Sequence, residues 1–146
     1  MAAEIVTLAM RAAPRPGLHR TAIEGLQIIR ADARYARVHS VHKPSLCFIV
    51  QGTKIVTVGD EQLRYGQNEF LYSSVELPIT GEVIEATRRQ PYLVLVLDVE
   101  PAQVFELVAS AEGVEPRKAA TGQRAIFVGR DEAMTAAFHR LLSCLA

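Results

Sequence analysis

A small set of side chains in this 146-residue sequence could do chemistry: four histidines, two cysteines and sixteen carboxylates. His39 and His42 stand as His-x-x-His, and no further histidine follows until His139. On a strand, an offset of three places two side chains on opposite faces, whereas a chelating pair needs an even offset. The spacing therefore predicts no metal site, and the two histidines read as loop or strand-edge residues. Cys47 and Cys144 are far apart and show no metal-ligand spacing, so both are expected as reduced thiols. Cys47 has two readings. A reactive thiol needs nearby positive charge to lower its pKa, and Lys43 and Lys54 are the cations near it in sequence. A small, buried, inert apolar residue is the alternative. Glu69, Glu76, Glu82 and Glu85 fall on or near strands, but nothing pairs two of them as acid and base. The sequence lacks a Gly-x-Ser-x-Gly elbow, a phosphate-cradling glycine loop and a dinucleotide fingerprint.

The elements that must position these groups read mostly as strands. Residues 26–30, 36–41, 45–51, 54–58, 62–65, 69–73 and 92–98 are rich in β-branched and aromatic side chains. Residues 78–86 read as two bent strand pieces around Gly81. Gly59-Asp60-Glu61 is a hairpin turn and Gly66-Gln67-Asn68 the next turn. A parallel sheet would need crossover helices between strands, and no helical period appears between residues 44 and 98. Short strands at regular spacing with turn chemistry between them predict an antiparallel barrel or jelly roll. On the strand 45–51, Leu46, Phe48 and Val50 share one face and Cys47, Ile49 and Gln51 the other. A one-residue slip exchanges the two faces, so the pattern alone does not say which points inward.

Helical patterns flank this region. Residues 2–11 form a short helix with Ile5, Leu8 and Ala9 on one face, stopped by Pro14 and Pro16. A second helix follows Pro101, with Val104, Leu107, Val108 and Ala111 at helical spacing and Gly113 ending it. Residues 113–123 read as an exposed loop and 124–128 as a short strand. Asp131 is placed to cap a last helix. In that helix Met134, Phe138, Leu141 and Leu145 are spaced 4-3-4, the seam by which two helices pair. Either the stripe joins two copies of the chain or it packs on its own barrel. Its pattern still runs at Ala146, which predicts that the natural protein continues.

Length and charge bound the function. The chain fits one domain over residues 1–146, with the barrel at about 20–100 and helices at about 101–146. Lys plus Arg and Asp plus Glu both number 16, and no basic stripe is present. Nucleic-acid binders draw much of their affinity from such stripes, so this segment is not expected to grip DNA by itself. The N-terminus has no basic region followed by an apolar stretch, and the longest apolar run, residues 92–97, is far short of a membrane span. A cytoplasmic location and no membrane partner are expected.

With the segments placed, residues 44–101 resemble the N-terminal domain of AraC-type transcriptional regulators. The resemblance lies in KPSLCFIVQGTKIVTVGD, then LRYGQNEFLYSSVELPITGEVIEA, then QPYLVLVLDVEP. Its marks are Pro44-Ser45-Leu46-Cys47, Gln51-Gly52 with Lys54, Gly59-Asp60, Tyr65, Leu77-Pro78 with Gly81, and Pro91-Tyr92. The upstream Thr21-Ala22-Ile23-Glu24-Gly25-Leu26 also fits. The resemblance implies a cupin-like barrel followed by dimer-forming α-helices, a small-molecule effector, and DNA contact only through C-terminal helix-turn-helix units that these residues do not include.

A sensor pocket needs a mostly apolar cavity with a few convergent polar groups. The residues expected to line it are His42, Cys47, Tyr72, Glu85 and Tyr92. The homodimer contact is expected at Met134, Phe138, Leu141 and Leu145. No catalytic residue, metal or cofactor is expected. Two other readings stay open: a small cupin enzyme, such as a metal-dependent isomerase or oxygenase, and a pure dimerisation module whose barrel is filled by its own side chains.

Overall fold

Strands buried on one face alternate apolar and polar side chains, and strands buried on both read as unbroken apolar runs. Both kinds occur here. The computed structural model describes residues 2–100, 102–103 and 126–145. Its strands are β1 (Gly17–Arg20), β2 (Leu26–Ala31), β3 (Tyr35–His42), β4 (Ser45–Gln51), β5 (Thr53–Val58), β6 (Glu61–Tyr65), β7 (Phe70–Ser73), β8 (Leu77–Glu85), β9 (Tyr92–Asp98) and β10 (Ile126–Gly129). The helices α1 (Ala2–Ala12) and α2 (Glu132–Ser143) lie before and after them.

These strands form two sheets, a six-stranded one in the order β1-β2-β9-β4-β7-β10 and a four-stranded one in the order β3-β8-β5-β6. Every pairing among them is antiparallel. The result is a mainly β, cupin-like double sheet with a C-terminal helix, and no helix interrupts the strands from β2 to β9.

Two apolar cores lie on opposite faces of the six-stranded sheet. Between the sheets sit Cys47, Ile49, Val56, Tyr65, Leu71, Ile79, Val83, Tyr92 and Val94. On the outer face, Phe48, Val50, Leu93 and Leu95 pack with Ile5, Ala9 and Ala13 at the α1 end, and with Phe138 and Leu142 of α2. The unbroken run of β9 is thereby explained: Tyr92 and Val94 point inward while Leu93 and Leu95 point to the helices. The same register settles β4, whose Cys47 and Ile49 face the interior. Asp131 caps α2 by accepting a hydrogen bond from the Met134 backbone N–H at 3.0 Å, as Asp does where a helix start leaves orphan donors.

The turns follow their residues. Val58 pairs with Glu61 across Gly59-Asp60, with Gly59 at φ 59° in the first turn position, where a two-residue hairpin favours glycine. Gly52 carries the chain from the six-stranded to the four-stranded sheet at φ 97°. A Cβ there would lie 2.8 Å from the Glu85 carbonyl oxygen and 3.0 Å from Tyr92 Cα, so both conformation and space exclude a side chain.

The structure adds one strand and corrects one expectation. β1 was not anticipated, because four residues after Pro14 and Pro16 carry no readable alternation. Residues 77–85 form one strand, not two pieces bent at Gly81: Gly81 pairs with Val38 on one side and Val56 on the other, so the ladder runs through it. The short strand expected at 124–128 is seen as Ile126–Gly129. The helix after Pro101 and the loop at 113–123 fall almost wholly outside the described residues.

Candidate functional site

A cavity of about 320 Å³ opens between the two sheets. The six-stranded sheet supplies Gln27 and Ile29 from β2, Ser45 and Cys47 from β4, and Tyr92, Val94, Val96 and Asp98 from β9. The four-stranded sheet supplies Ser40, Val41 and His42 from β3, Lys54 from β5, Tyr65 from β6 and Ile79 from β8; Lys43 follows β3. Exposed residues, including Ser40, Val41, Lys43 and Asp98, mark its mouth. Its walls combine apolar side chains (Ile29, Ile79, Val94 and Val96) with polar ones.

His42, Ser45, Cys47, Lys54, Tyr65 and Tyr92 project polar groups into this space from the inward phase of their strands. His42 ends β3 on its inward phase. Its Nε2 lies 3.5 Å from Cys47 Sγ, and its Nδ1 lies 3.0 Å from the Lys43 carbonyl oxygen. These contacts fit a neutral imidazole whose Nδ1–H donates to that carbonyl while Nε2 accepts the thiol proton. Ser45 Oγ sits beside both, 3.3 Å from His42 Nδ1 and 3.9 Å from Cys47 Sγ. Burial lowers the His42 pKa, helped by the charge of Lys54 and opposed by the Lys43 carbonyl. Burial raises the Cys47 thiol, against a lowering pull from Lys54 and the Ser45 hydrogen bond. A thiol pushed upward is protonated at neutral pH and is a poor nucleophile. The pair is therefore a neutral hydrogen-bonded contact, unlike the ion pair of a cysteine enzyme.

Lys54 enters from β5 in phase with Val56 and Val58, which join the interior core. Its ammonium is desolvated, which lowers its pKa. Among the described residues it makes no ion pair: the salt bridges seen are Arg30 with Asp32 and Arg64 with Glu85. Tyr65 and Tyr92 are 1% exposed each, and burial raises both phenols well above their ordinary value. They are near enough to influence one another's ionisation, yet the buried Tyr92 hydroxyl has no hydrogen-bond partner of acceptable geometry.

Of the five side chains expected to line a pocket, the fold brings His42, Cys47 and Tyr92 together here. Tyr72 faces the other side of the six-stranded sheet, edge-on to Phe127 with ring centroids 5.5 Å apart. Glu85 is exposed, 3.7 Å from Arg64, beside a separate recess lined by Arg34, Gln51, Gly52 and Gln90. The helix stripe divides as well. Phe138 is 2% exposed and stacks on Phe48 with centroids 4.8 Å apart, so its ring is covered within one chain. Met134, Leu141 and Leu145 flank it, half-buried. His39, one phase out from His42, meets Thr80 Oγ1 at 3.0 Å on the exposed side. Among the described residues, no three His, Cys, Asp or Glu side chains gather as a metal-holding group.

Lys54, Tyr65, Ser45, Gln27 and Asp98 are lining residues that the sequence reading did not select. One signal for Lys54 was present: a lysine alternating in phase with Val56 and Val58 on a strand.

Two antiparallel sheets around a cavity lined by both polar and apolar side chains define a cupin-like double-sheet domain. The chain belongs to the family of AraC-type transcriptional regulator N-terminal domains, whose description is matched by residues 22–146. Its fold is also similar to the crystal structure of an apo lysine-to-alanine variant of ToxT from Vibrio cholerae strain SCE256. The TM-score is 0.60 at 9% identity, over 87% of this chain and 50% of that one. The chain thus spans half the length of that protein. A search of curated proteins returns no sequence match. No helix among the described residues is long and apolar enough to cross a membrane.

Proposed function

We propose that this domain senses a small-molecule effector in the intersheet cavity and acts as a regulatory rather than a catalytic unit of a cytoplasmic, DNA-binding regulator. One observation carries the reading: β4 and β9 serve two masters. Their alternate side chains line the cavity (Cys47, Tyr92, Val94) and the bed of the helices (Phe48, Leu93, Leu95). An occupant that displaces these strands changes the surface on which α1 and α2 rest. An effector biases the domain by as much as its affinity differs between the two arrangements. Contact with DNA belongs to the C-terminal region of the parent regulator. The half-buried flank of α2, with Met134, Leu141 and Leu145, supplies the contact between two copies.

Filling the cavity from the opposite sheet tests the coupling without touching β4 or β9. In Ile79→Phe, amide hydrogen exchange is expected to change in α1 and α2 as well as around β8. Helices that keep the wild-type exchange pattern, in a variant whose β8 neighbours do respond, would remove the sensing mechanism. For self-association, Leu141→Asp is expected to weaken the dimer about tenfold or more in sedimentation, by placing a charge in an apolar contact. An unchanged dimer would move the interface elsewhere.

A further inference from the structure

The cavity holds a charge that no described residue neutralises. Lys54 reaches the interior, and among the described residues no carboxylate pairs with it. The clearance for its side chain is built into the neighbouring strand: a Cβ on Gly81 would lie 3.0 Å from Lys54 Cε and 3.4 Å from Nζ. The other groups nearby bring no compensating charge. Cys47 and the phenols are neutral, for the reasons of burial given above, and so is His42. At the mouth, the exposed Lys43 and Asp98 add one charge of each sign. An ammonium withdrawn from water without a partner destabilises a fold, as does a buried hydroxyl without one, and Tyr92 contributes such a hydroxyl to the same cavity.

On the reading that this cavity is the effector site, we propose that the effector is a compact organic monoanion whose carboxylate pairs with Lys54 while its apolar body lies against Ile29, Ile79, Val94 and Val96. The Tyr92 hydroxyl is a second donor for that carboxylate. One uncompensated positive charge matches one negative charge; a dianion would leave its second charge buried and unpaired. The size follows from the space. At about 30 Å³ for a water-sized group, a volume of 320 Å³ holds on the order of ten heavy atoms.

The test is calorimetric titration of the chain with hexanoate and benzoate, their uncharged counterparts hexanamide and benzamide, and hexylamine. The carboxylates are expected to bind about 10- to 100-fold more tightly than the amides, the range for a hydrogen bond to a charged group, and hexylamine least. Lys54→Met is expected to bind acid and amide alike, and Lys54→Arg to retain the preference. Amides that bind the wild type as well as the acids do would overturn the monoanion assignment and leave the effector cavity standing. Failure of every probe, charged and neutral, would remove the cavity as a ligand site and the assignment with it. Should Lys54→Met fail to fold, the NMR signal of the Lys54 side chain in the wild type decides. A shift on adding hexanoate supports the pairing, and an unmoved signal refutes it.

Discussion

The two faces of the six-stranded sheet are made by the same strands and have opposite characters. Toward the helices, the core is apolar, and Phe48 stacks on Phe138 at an interplanar angle of 14°. Toward the cavity, the same strands present Ser45, Cys47 and Tyr92, with His42, Lys54 and Tyr65 facing them. The first face is close-packed, so it resists change and fixes where the helices sit. The second keeps open space and a hydroxyl without a partner, so it has room to accommodate change. Because strand side chains alternate, one residue's step along β4 or β9 separates the packed face from the cavity wall.

The largest effect expected from breaking this comparison is on the packed face. Phe48→Ala removes a fully buried ring and leaves Phe138 unstacked, so a loss of about 3–5 kcal/mol is expected in denaturant unfolding. A loss under about 1 kcal/mol would mean that the helices are not seated on this ring. On the cavity face, a change of similar position has the opposite sign. Tyr92→Phe removes a buried hydroxyl that has no partner and is expected to raise stability by about 1 kcal/mol. A clear loss would show that the hydroxyl is satisfied in the folded protein.

The smallest effect sharpens the comparison through pH. His42 has a folded pKa below its ordinary value of 6.5, because of burial and then Lys54. The unfolded chain therefore binds the extra proton more readily, and stability declines as pH falls below about 6.5 toward the folded value. Above 6.5 the two states bind protons alike at this site and the effect vanishes. His42→Asn is expected to flatten this part of the profile: its thermal midpoint falls less than that of the wild type between pH 7 and 5.5. Parallel profiles would place the acid sensitivity on other groups.

Much of this architecture was legible in the residues. Turn chemistry at Gly59-Asp60 and Gly66-Gln67-Asn68 punctuated the strands, and most boundaries fall within two residues of expectation. The alternation in 45–51 separated Phe48 from Cys47 correctly but could not say which faced inward, since that is set by the helices that cover one side. Gly81 is ambiguous in sequence because a glycine in a strand signals either a bend or a close approach. Here it is an approach, and the approaching group is Lys54. Tyr72 and Glu85 were drawn to the pocket by type alone. Tyr72 lies on the helix-side phase of β7, and Glu85 lies at the far end of β8, distances in space that no local pattern encodes. For the helix stripe, spacing could not distinguish a partner helix from the chain's own sheet, and Phe138 is held by the sheet.

β3 has a consequence for the molecule in solution. It is eight residues long and forms an outer edge of the four-stranded sheet, so one row of its backbone donors and acceptors faces outward, the kind of surface on which fibrils seed. Its pairing with β8 slips between Tyr35 and Val38, and Arg37 and His39 are exposed on it. An irregular border that carries an exposed arginine is a poor template for a foreign strand. The long margin beside the cavity mouth is thereby kept free of indiscriminate self-pairing.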